Sequence, residues 1–339
     1  MPTTLDDVAK AAGVSTATVS YVISGAKRVS AATRARVEAV IAELGYRPSP
    51  SARSLRTGQH HMLGLLLPDL ANPFFPALAQ AVAETARELG YGLMLSESGS
   101  DSASEDRALD AMQQRVDGIV WVPETRQPDT KPYRPTVVID RVGPDLLEFD
   151  SVSSDHRLGG QLLARRIREL GHRRIGLLAG PADSVSARQR REALCAELGD
   201  LRPEWVVEVP YSSELPQAAV GRLLDSGVTL IVAANDAVAI GALRVLKAHG
   251  LRVPQDVSLM GFDDIPWAAL VDPPLSTVSQ PVRAIGRRAV ELLHRRLGAR
   301  EGEPTHLVLP VEYVERGSTQ PLALEESRAL GSSAASTWT

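Results

Sequence analysis

Two groups of residues in this sequence have the types and spacing to do chemistry, and in both the chemistry is recognition rather than bond making. The first group opens the chain. Val8-Ala9, Ala12-Gly13-Val14, Val19 and Val22 are spaced as in a helix-turn-helix. Ala9 is small where two helices must cross, Gly13 tolerates the positive φ of the turn, and the valines supply a shared core. The second helix of such a unit enters the major groove of DNA with the residues near its start against base edges. Thr16 and Ala17 offer methyl contact to thymine, Tyr21 one turn on offers a hydroxyl, and Thr18 and Ser20 carry hydroxyls suited to phosphate. Thr4 and Arg28 complete the candidate DNA-contacting set in the head. No Arg or Gln is placed on this helix for a bidentate base contact, so its direct readout should be modest. That draws attention to Ser51–Arg56, where Ala52 to Leu55 form a short helical segment unstable in isolation. An exposed leucine there either packs on a dimer mate or wedges between base pairs in the minor groove, with Arg56 near the backbone. A flexible linker with a chance leucine is the alternative.

The second group lies farther on, each member just after an apolar run. Asn72-Pro73-Phe74-Phe75 follows the first run, Asp140-Arg141 ends another, Ser186 and Arg190 open a helix after Gly180-Pro181, and Asn235-Asp236 and Asp263-Asp264 end two more. Carboxylate, amide and guanidinium groups converging on one cleft can make paired hydrogen bonds to vicinal hydroxyls or to a ring edge, which suits a polyhydroxylated or purine-like ligand. Phe74 and Phe75, in a chain with only four Phe, are a candidate stacking wall. Asp236 and Asp264 read instead as caps of the helices that follow.

The elements that must position these groups show in the periodicity. Residues 1–47 read as a three-helix head: Thr4 caps Leu5 to Ala12, Ser15 caps a helix running to about Ile23, and a third starts after Val29-Ser30 and ends at Gly45. Residues 48–60 read as a hinge or linker. From His61, strands are expected at Leu63 to Leu67, Leu93 to Ser96, Gly118 to Val122, Thr136 to Asp140, Arg174 to Ala179, Leu230 to Ala233 and Val257 to Gly261. Helices such as Phe75 to Leu89, Arg157 to Leu170, Ser186 to Leu198 and Ala237 to His249 alternate with them. Continuous apolar strands alternating with helices imply α/β architecture, parallel sheets covered on both faces, and there are strands enough for two doubly wound lobes. Such lobes bind ligands in the cleft outside the carboxyl ends of their strands, where the second group falls. Residues 319–339 read as a disordered tail.

Charge separates along the same division. Residues 1–59 carry eight Lys and Arg against four Asp and Glu, a net +4, which leaves −8 on the rest of a chain whose total is −4. A basic head on an acidic body lets the head approach phosphate while the body stays off the DNA.

Several function classes are excluded or demoted. The single cysteine, Cys195, rules out an internal disulfide framework and a Cys metal cluster, and fits a reducing cytoplasm. The seven histidines show no metal-ligand spacing, and His172 in LGHRRI is expected to satisfy a backbone carbonyl at a helix end. No GxGxxG, GxxxxGK[ST], HExxH or GxSxG occurs; Ser24 to Lys27 matches SxxK but lies in the head, with no pocket for catalysis. No catalytic residue, cofactor or metal is expected, and a cytosolic sugar-processing enzyme stands as a remote alternative. The opening MPTTLDDVAK has no basic stretch leading into an apolar run, and no stretch of about 18 apolar residues occurs, so neither a membrane nor a secreted sugar-binding transport protein is expected.

The run TLDDVAKAAGVSTATVSYVISGAKRVSAATRARVEAVIAELGYRPSPSARSLRTG resembles the DNA-binding head and hinge of the lactose/galactose repressor family position by position. The resemblance continues through LLPDLANPFF, VVIDR, GHRRIGLLAGPADSVSARQR, VAANDAVAIGALRVLKAHGLRVPQDVSLMGFDD and DPPLSTVSQP, and so covers Thr4 to about Arg316. It implies a helix-turn-helix head, a hinge helix with Leu55 as the wedge, a palindromic operator, and a periplasmic-binding-protein-like sensor core spanning 61–316. Within that core the implied N-lobe is about 61–153 and 281–312, and the C-lobe about 154–280 and 313–318. It places Asp140, Arg190, Asn235 and Asp263 on the family's effector positions, and Tyr211 where an aromatic stacks on the ligand. Ser24 departs from the Asn common in the family beside the DNA backbone, and Pro50 limits where the hinge helix can start. The implied function is a regulator of transcription whose operator affinity is set by a small molecule. A sugar is favoured because the carboxylate-rich set suits hydroxyls; a purine or nucleoside is the alternative. A tetramer would need a C-terminal leucine heptad, and residues 317–339 offer only Leu322, Leu324 and Leu330, so a homodimer is expected.

Overall fold

Thr4, Ser15 and Ser30 each start a helix by accepting a backbone N–H with the side-chain hydroxyl: α1 (Leu5–Ala12), α2 (Thr16–Ser24) and α3 (Ala31–Glu43). At Thr4 the cap is reciprocal, since the Asp7 carboxylate accepts the Thr4 N–H at 2.9 Å. Gly13 ends α1 at φ 61°, a left-handed turn open to glycine. Val8, Ala9, Ala12, Val19, Val22 and Val37 form the buried core of the head, with Val14 only partly buried against it. The structure, a computed structural model, describes residues 3–25, 29–46, 59–99, 102–123, 132–199, 201–299 and 302–322. The chain divides into two compact units, Met1–His60 and His61–Thr339.

The second unit alternates strand and helix: β1 (Met62–Leu67), α4 (Phe74–Glu88), β2 (Gly92–Glu97), α5 (Ser102–Gln113), β3 (Gly118–Trp121), β4 (Thr136–Ile139), β5 (Asp150–Ser154), α6 (His156–Glu169), β6 (Ile175–Ala179), α7 (Val185–Leu198), β7 (Val206–Glu208), α8 (Gln217–Asp225), β8 (Leu230–Ala233), α9 (Asp236–Ala248), β9 (Ser258–Met260), β10 (Thr277–Ser279), α10 (Val282–Gly298), β11 (His306–Leu309) and β12 (Glu312–Val314). One lobe is built on a six-stranded sheet of order β11-β5-β4-β3-β1-β2, the other on a four-stranded sheet of order β7-β6-β8-β9. Every pairing in both sheets is parallel. β10 and β12 pair antiparallel as a separate ribbon where the chain passes between lobes. The chain leaves the first lobe after β5, returns at α10 and leaves again after β11, so the lobes share three crossings. β1, β3, β4, β6 and β8 are buried nearly end to end, as strands covered on both faces must be.

All seven expected strands are present, and β5, β7, β10, β11 and β12 are additional. Asp236 does not cap α9; Asn235 does, accepting the Val238 N–H at 2.9 Å. Asp264 is no helix cap either and pairs with Arg316 at 2.6 Å. His172 does bond a carbonyl, but that of Gln320 at 3.0 Å rather than one at a helix end, with its other nitrogen 2.9 Å from Thr229 Oγ1. The same bond corrects the start of the tail: Thr319, Gln320 and Leu322 are hydrogen-bonded to Ser276, Ser258 and Leu170, so the chain is tied to the second lobe beyond residue 319. Residues 323–339 lie outside the described residues.

Gly159 and Gly160 open α6 as a pair for a steric reason. A Cβ on Gly159 would stand 2.5 Å from the Phe262 ring, and one on Gly160 would stand 2.5 Å from the Arg190 carbonyl and 2.8 Å from Ala193 Cβ. The pair lets α7 lie against α6 with Phe262 beneath, which fixes where Arg190 starts. Gly160→Ala is therefore expected to cost about 1–3 kcal/mol, because the backbone it meets cannot yield as a flexible side chain would. Urea unfolding measures this, and an unchanged midpoint would show that the helices can separate without penalty.

Candidate functional site

The carboxyl ends of β1, β4, β6, β8 and β9 face one cleft between the lobes. Asn72, Phe74, Phe75, Asp140, Ser186, Arg190, Tyr211, Asn235 and Asp263 line a single cavity there, together with Asp69 and Gln280. Arg141 does not line it; its guanidinium lies 5.7 Å over the Tyr211 ring and bonds the Pro123 carbonyl at 3.3 Å. The cavity holds about 40 Å³, room for a few waters, against the few hundred Å³ that a sugar-sized ligand fills.

Arg190 is the centre of the site. Its Nη1 donates to the Ala234 carbonyl at 2.8 Å, its Nε to His156 Nδ1 at 3.3 Å, its Nη2 lies 3.8 Å from Asp263 Oδ1, and its plane rests 3.6 Å above the Phe262 ring centroid. Asp263 also accepts from Gln280 Nε2 at 2.6 Å. Asp140, Asp263 and Asp264 all sit at positive φ, 66°, 116° and 58°, a cluster of strained backbone at the strand ends. The carboxylates are not equivalent. Burial works against ionising Asp140, but His156, Arg190 and Arg141 outweigh it and bring the carboxyl down to about 2. At Asp263 burial wins: despite Arg190 and Gln280, the carboxyl is pushed up to about 7, with Asp140 adding to the rise. Behind them Asp236 is fully buried and raised well above the usual range by burial and by Asp263. It accepts from Ile265 N–H at 2.9 Å and Thr277 Oγ1 at 2.6 Å and so anchors the strained turn.

The amides are oriented by their own helices. Asn72 Oδ1 accepts the Phe74 N–H at 3.2 Å and Asn235 Oδ1 the Val238 N–H, which leaves the NH2 ends free to donate elsewhere. Ser184 caps α7 and its hydroxyl links Ser186 Oγ at 3.2 Å to the Tyr211 hydroxyl at 3.1 Å. Phe74 and Phe75 meet edge to face, centroids 5.3 Å apart at 79°, so they present a corner rather than one flat wall. Sequence reasoning missed Asp69, Gln280, Ser184 and His156. Gln280 lies next to last in DPPLSTVSQP, just before the chain re-enters the first lobe, with no local signal to mark it. His156 carried no signal beyond its position at the start of α6.

In the head, Thr16 and Ala17 are exposed at the start of α2, and Thr18, Ser20 and Tyr21 are half-exposed along it. The Thr18 hydroxyl pairs with Ser15 at 2.9 Å, and Thr4 is engaged in its capping box. Arg28, Pro50, Ala52, Leu55 and Arg56 lie outside the described residues. Among the described residues no group of His, Cys, Asp and Glu could hold a metal ion, and no helix is long and apolar enough to cross a membrane.

A helix-turn-helix head joined to two parallel-sheet lobes with a polar cleft at their strand ends defines a class: a DNA-binding regulator carrying a periplasmic-binding-protein-like sensor. Comparison agrees over both parts. Residues 4–49 match the model of bacterial regulatory proteins of the lacI family, and residues 164–319 match the periplasmic binding protein-like domain. The ribose operon repressor of Escherichia coli K12 is 36% identical over 93% of this chain and 99% of its own length. Two solved structures are also similar. The lac repressor dimer bound to operator and the anti-inducer ONPF has TM-score 0.83 and 32% identity over 94% of this chain and 100% of that one. A LacI family regulator from Enterococcus faecium with bound ribose has TM-score 0.70 and 28% identity over 77% and 100%. The chain belongs to the lacI family of bacterial transcriptional regulators, and its relatives are regulators rather than enzymes.

Proposed function

We propose that this protein is a cytoplasmic, dimeric repressor of a carbohydrate-utilisation operon, whose hold on a palindromic operator is set by a sugar bound between its lobes. The observation that carries the sugar is Gln280 Oε1, a buried acceptor at the cavity without a hydrogen-bond partner, next to the carboxyls of Asp140 and Asp263. Beside them stand the donor ends of Asn72, Asn235 and Arg190. Each hydroxyl of a polyol both donates and accepts, so a hydroxyl-rich ligand satisfies both kinds of group at once. A purine- or nucleoside-responsive regulator is the second reading, favoured by Phe74, Phe75 and Tyr211; the edge-to-face phenylalanines weaken it. The ribose operon repressor and the ribose-bound relative support a small sugar.

Residues 1–47 serve as the DNA-binding domain, 48–60 as the hinge and 61–316 as the effector-binding and dimerisation core. Asn72, Phe74, Phe75, Asp140, Ser186, Arg190, Tyr211, Asn235 and Asp263 contact the effector, with Arg141 behind Tyr211. Thr4, Thr16, Ala17, Thr18, Ser20, Tyr21 and Arg28 contact DNA from the head, and Ala52, Leu55 and Arg56 from the hinge. Sugar entering and closing the cleft rotates the lobes, which changes the spacing of the paired first lobes and lets the hinge segments order or melt.

A gel-shift titration on a palindromic site with a central CpG step, with and without D-ribose and with a nucleobase control, tests the reading, and the direction of the change tells induction from co-repression. Leu55→Ala is expected to weaken specific binding at least about tenfold and non-specific binding little, as losing a wedge does. Equal loss of both contradicts the wedge. Protein that stays monomeric, or whose operator affinity no sugar changes, overturns the reading.

A further inference from the structure

A buried titratable group of the cleft, His156, is not among the residues that line the cavity. His156, 1% exposed, is the first residue of α6 and stands between Arg190 and Asp140. Its Nδ1 is 3.3 Å from Arg190 Nε and its Nε2 is 2.9 Å from Asp140 Oδ1. The guanidinium Nε always carries its hydrogen, so Nδ1 must accept, and a neutral ring then has its one proton on Nε2, towards Asp140. The approach to Asp140 is bent, so neither atom makes a well-aligned hydrogen bond. The Phe262 ring, tilted at 45° with its centroid 6.1 Å away, packs beside the imidazole. α6 belongs to the second lobe and Asp140 to the first, so this ring is where the charges around Arg190 reach across the cleft.

We propose that His156 is a positioning residue for the effector response: neutral, it holds the Arg190 guanidinium toward the cleft and joins it to Asp140 of the opposite lobe, and protonated, it releases Arg190 and loosens the grip on the effector. This rests on the cleft being the effector site. The charged groups facing the ring are Asp140 from the end of β4 and Arg190 from α7; Asp263, after β9, acts through Arg190, and Arg141 acts through Asp140. A second ring proton would sit on Nδ1, donor against donor and cation against cation with the Arg190 Nε–H. Burial already pushes the imidazole below its usual value and Arg190 adds to this, while Asp140 works the other way. The unfolded chain takes up that proton at higher pH than the folded one, so the contribution of His156 is present in full above the unfolded value and is lost as pH falls from there through the folded value.

Two measurements on the full-length protein test this. Ring-15N NMR of the ligand-free protein is expected to show His156 as the Nε2–H tautomer at neutral pH, titrating below an ordinary histidine; an Nδ1–H tautomer or a charged ring at neutral pH overturns the proposal. Calorimetric titration with D-ribose, from about pH 8 to about pH 5, is then compared between the parent, His156→Gln and His156→Ala. Gln can accept from Arg190 and donate to Asp140 without titrating, so it is expected to bind a few-fold more weakly near neutrality but to lose the acid-side decline. Ala is expected to bind weakly throughout. Superimposable pH profiles for parent and His156→Gln overturn the proposal. If D-ribose binds none of them, it is ribose as the effector that fails, and the NMR tautomer with urea unfolding at both ends of the pH range decides the role of His156.

Discussion

Arg190→Ala is expected to abolish effector binding and to destabilise the second unit by about 3–5 kcal/mol, the usual consequence of removing one partner from a buried charge cluster. The side chain bonds the Ala234 carbonyl, stacks on Phe262 and faces Asp263 and His156, so truncation leaves a buried carbonyl unpaired, a ring face uncovered and two buried carboxyls, Asp140 and Asp263, without their shared cation. The loss depends on pH in a definite direction. Asp263, already pushed up to about 7 with Arg190 present, rises further without it. A carboxyl raised in the folded state contributes stability at low pH and loses it as pH rises through the folded value. Arg190→Ala is therefore less harmful at about pH 6 than at about pH 8. Urea unfolding at both values, with calorimetry against the sugar that binds the parent, measures it. A variant as stable as the parent at both, still binding, would show that Arg190 is not the centre of the site.

How much of this was legible beforehand depends on whether a signal was local. The strands that are buried end to end, such as Leu63 to Leu67 and Leu230 to Ala233, announce themselves as unbroken apolar runs. Asp150–Ser154 is as deeply buried and was not read as a strand, because its sequence is DSVSS. Its polarity is tolerated because the flanking strands β4 and β11 take up its backbone, and Arg296 with the Thr305 N–H takes up the Asp150 carboxylate at 2.7–2.8 Å. β10 and β12 are three residues each and pair with one another, with one isolated bridge from Ser279 to Asp263, too short for any period to show. α10, by contrast, carries Ile285, Ala289, Leu292 and Leu293 on one buried face, a helical spacing that was open to reading. In the cleft, residues that end a strand were found because strand ends are where such lobes bind. His156 and Gln280 were not, since each enters from a crossing between lobes, and only the three-dimensional course of the chain brings a crossing to the strand ends. The cap assigned to Asp236 erred by one residue for a similar reason: Asn235 and Asp236 are equally good caps in sequence, and the distant Thr277 and Ile265 N–H decide between them.

Asp263→Asn separates stability from binding and should move them in opposite directions. Asn accepts the Gln280 Nε2 hydrogen bond as Asp263 does and tolerates the positive φ of this position better than most residues. What it removes is a charge that burial resists. A rise from the usual value to about 7 corresponds to an upper bound of about 4 kcal/mol against the folded state well above that pH. Arg190, left with less compensation, takes some of this back, so a gain of about 1–2 kcal/mol at about pH 8 is expected. Below the unfolded carboxyl value both proteins carry a neutral group here, so the gain vanishes there and the variant's stability curve is flatter across the interval between. Binding goes the other way: a charged acceptor aimed into the cavity is lost, and effector affinity should fall on the order of tenfold to a hundredfold. Thermal melts across pH with titration calorimetry on the same preparations check both halves. Loss of stability at high pH together with unchanged binding would mean that Asp263 serves as the structural counter-ion of Arg190. Gain with loss would mean that the fold keeps an ill-solvated carboxylate at the mouth of the strands because a ligand's hydroxyls solvate it there.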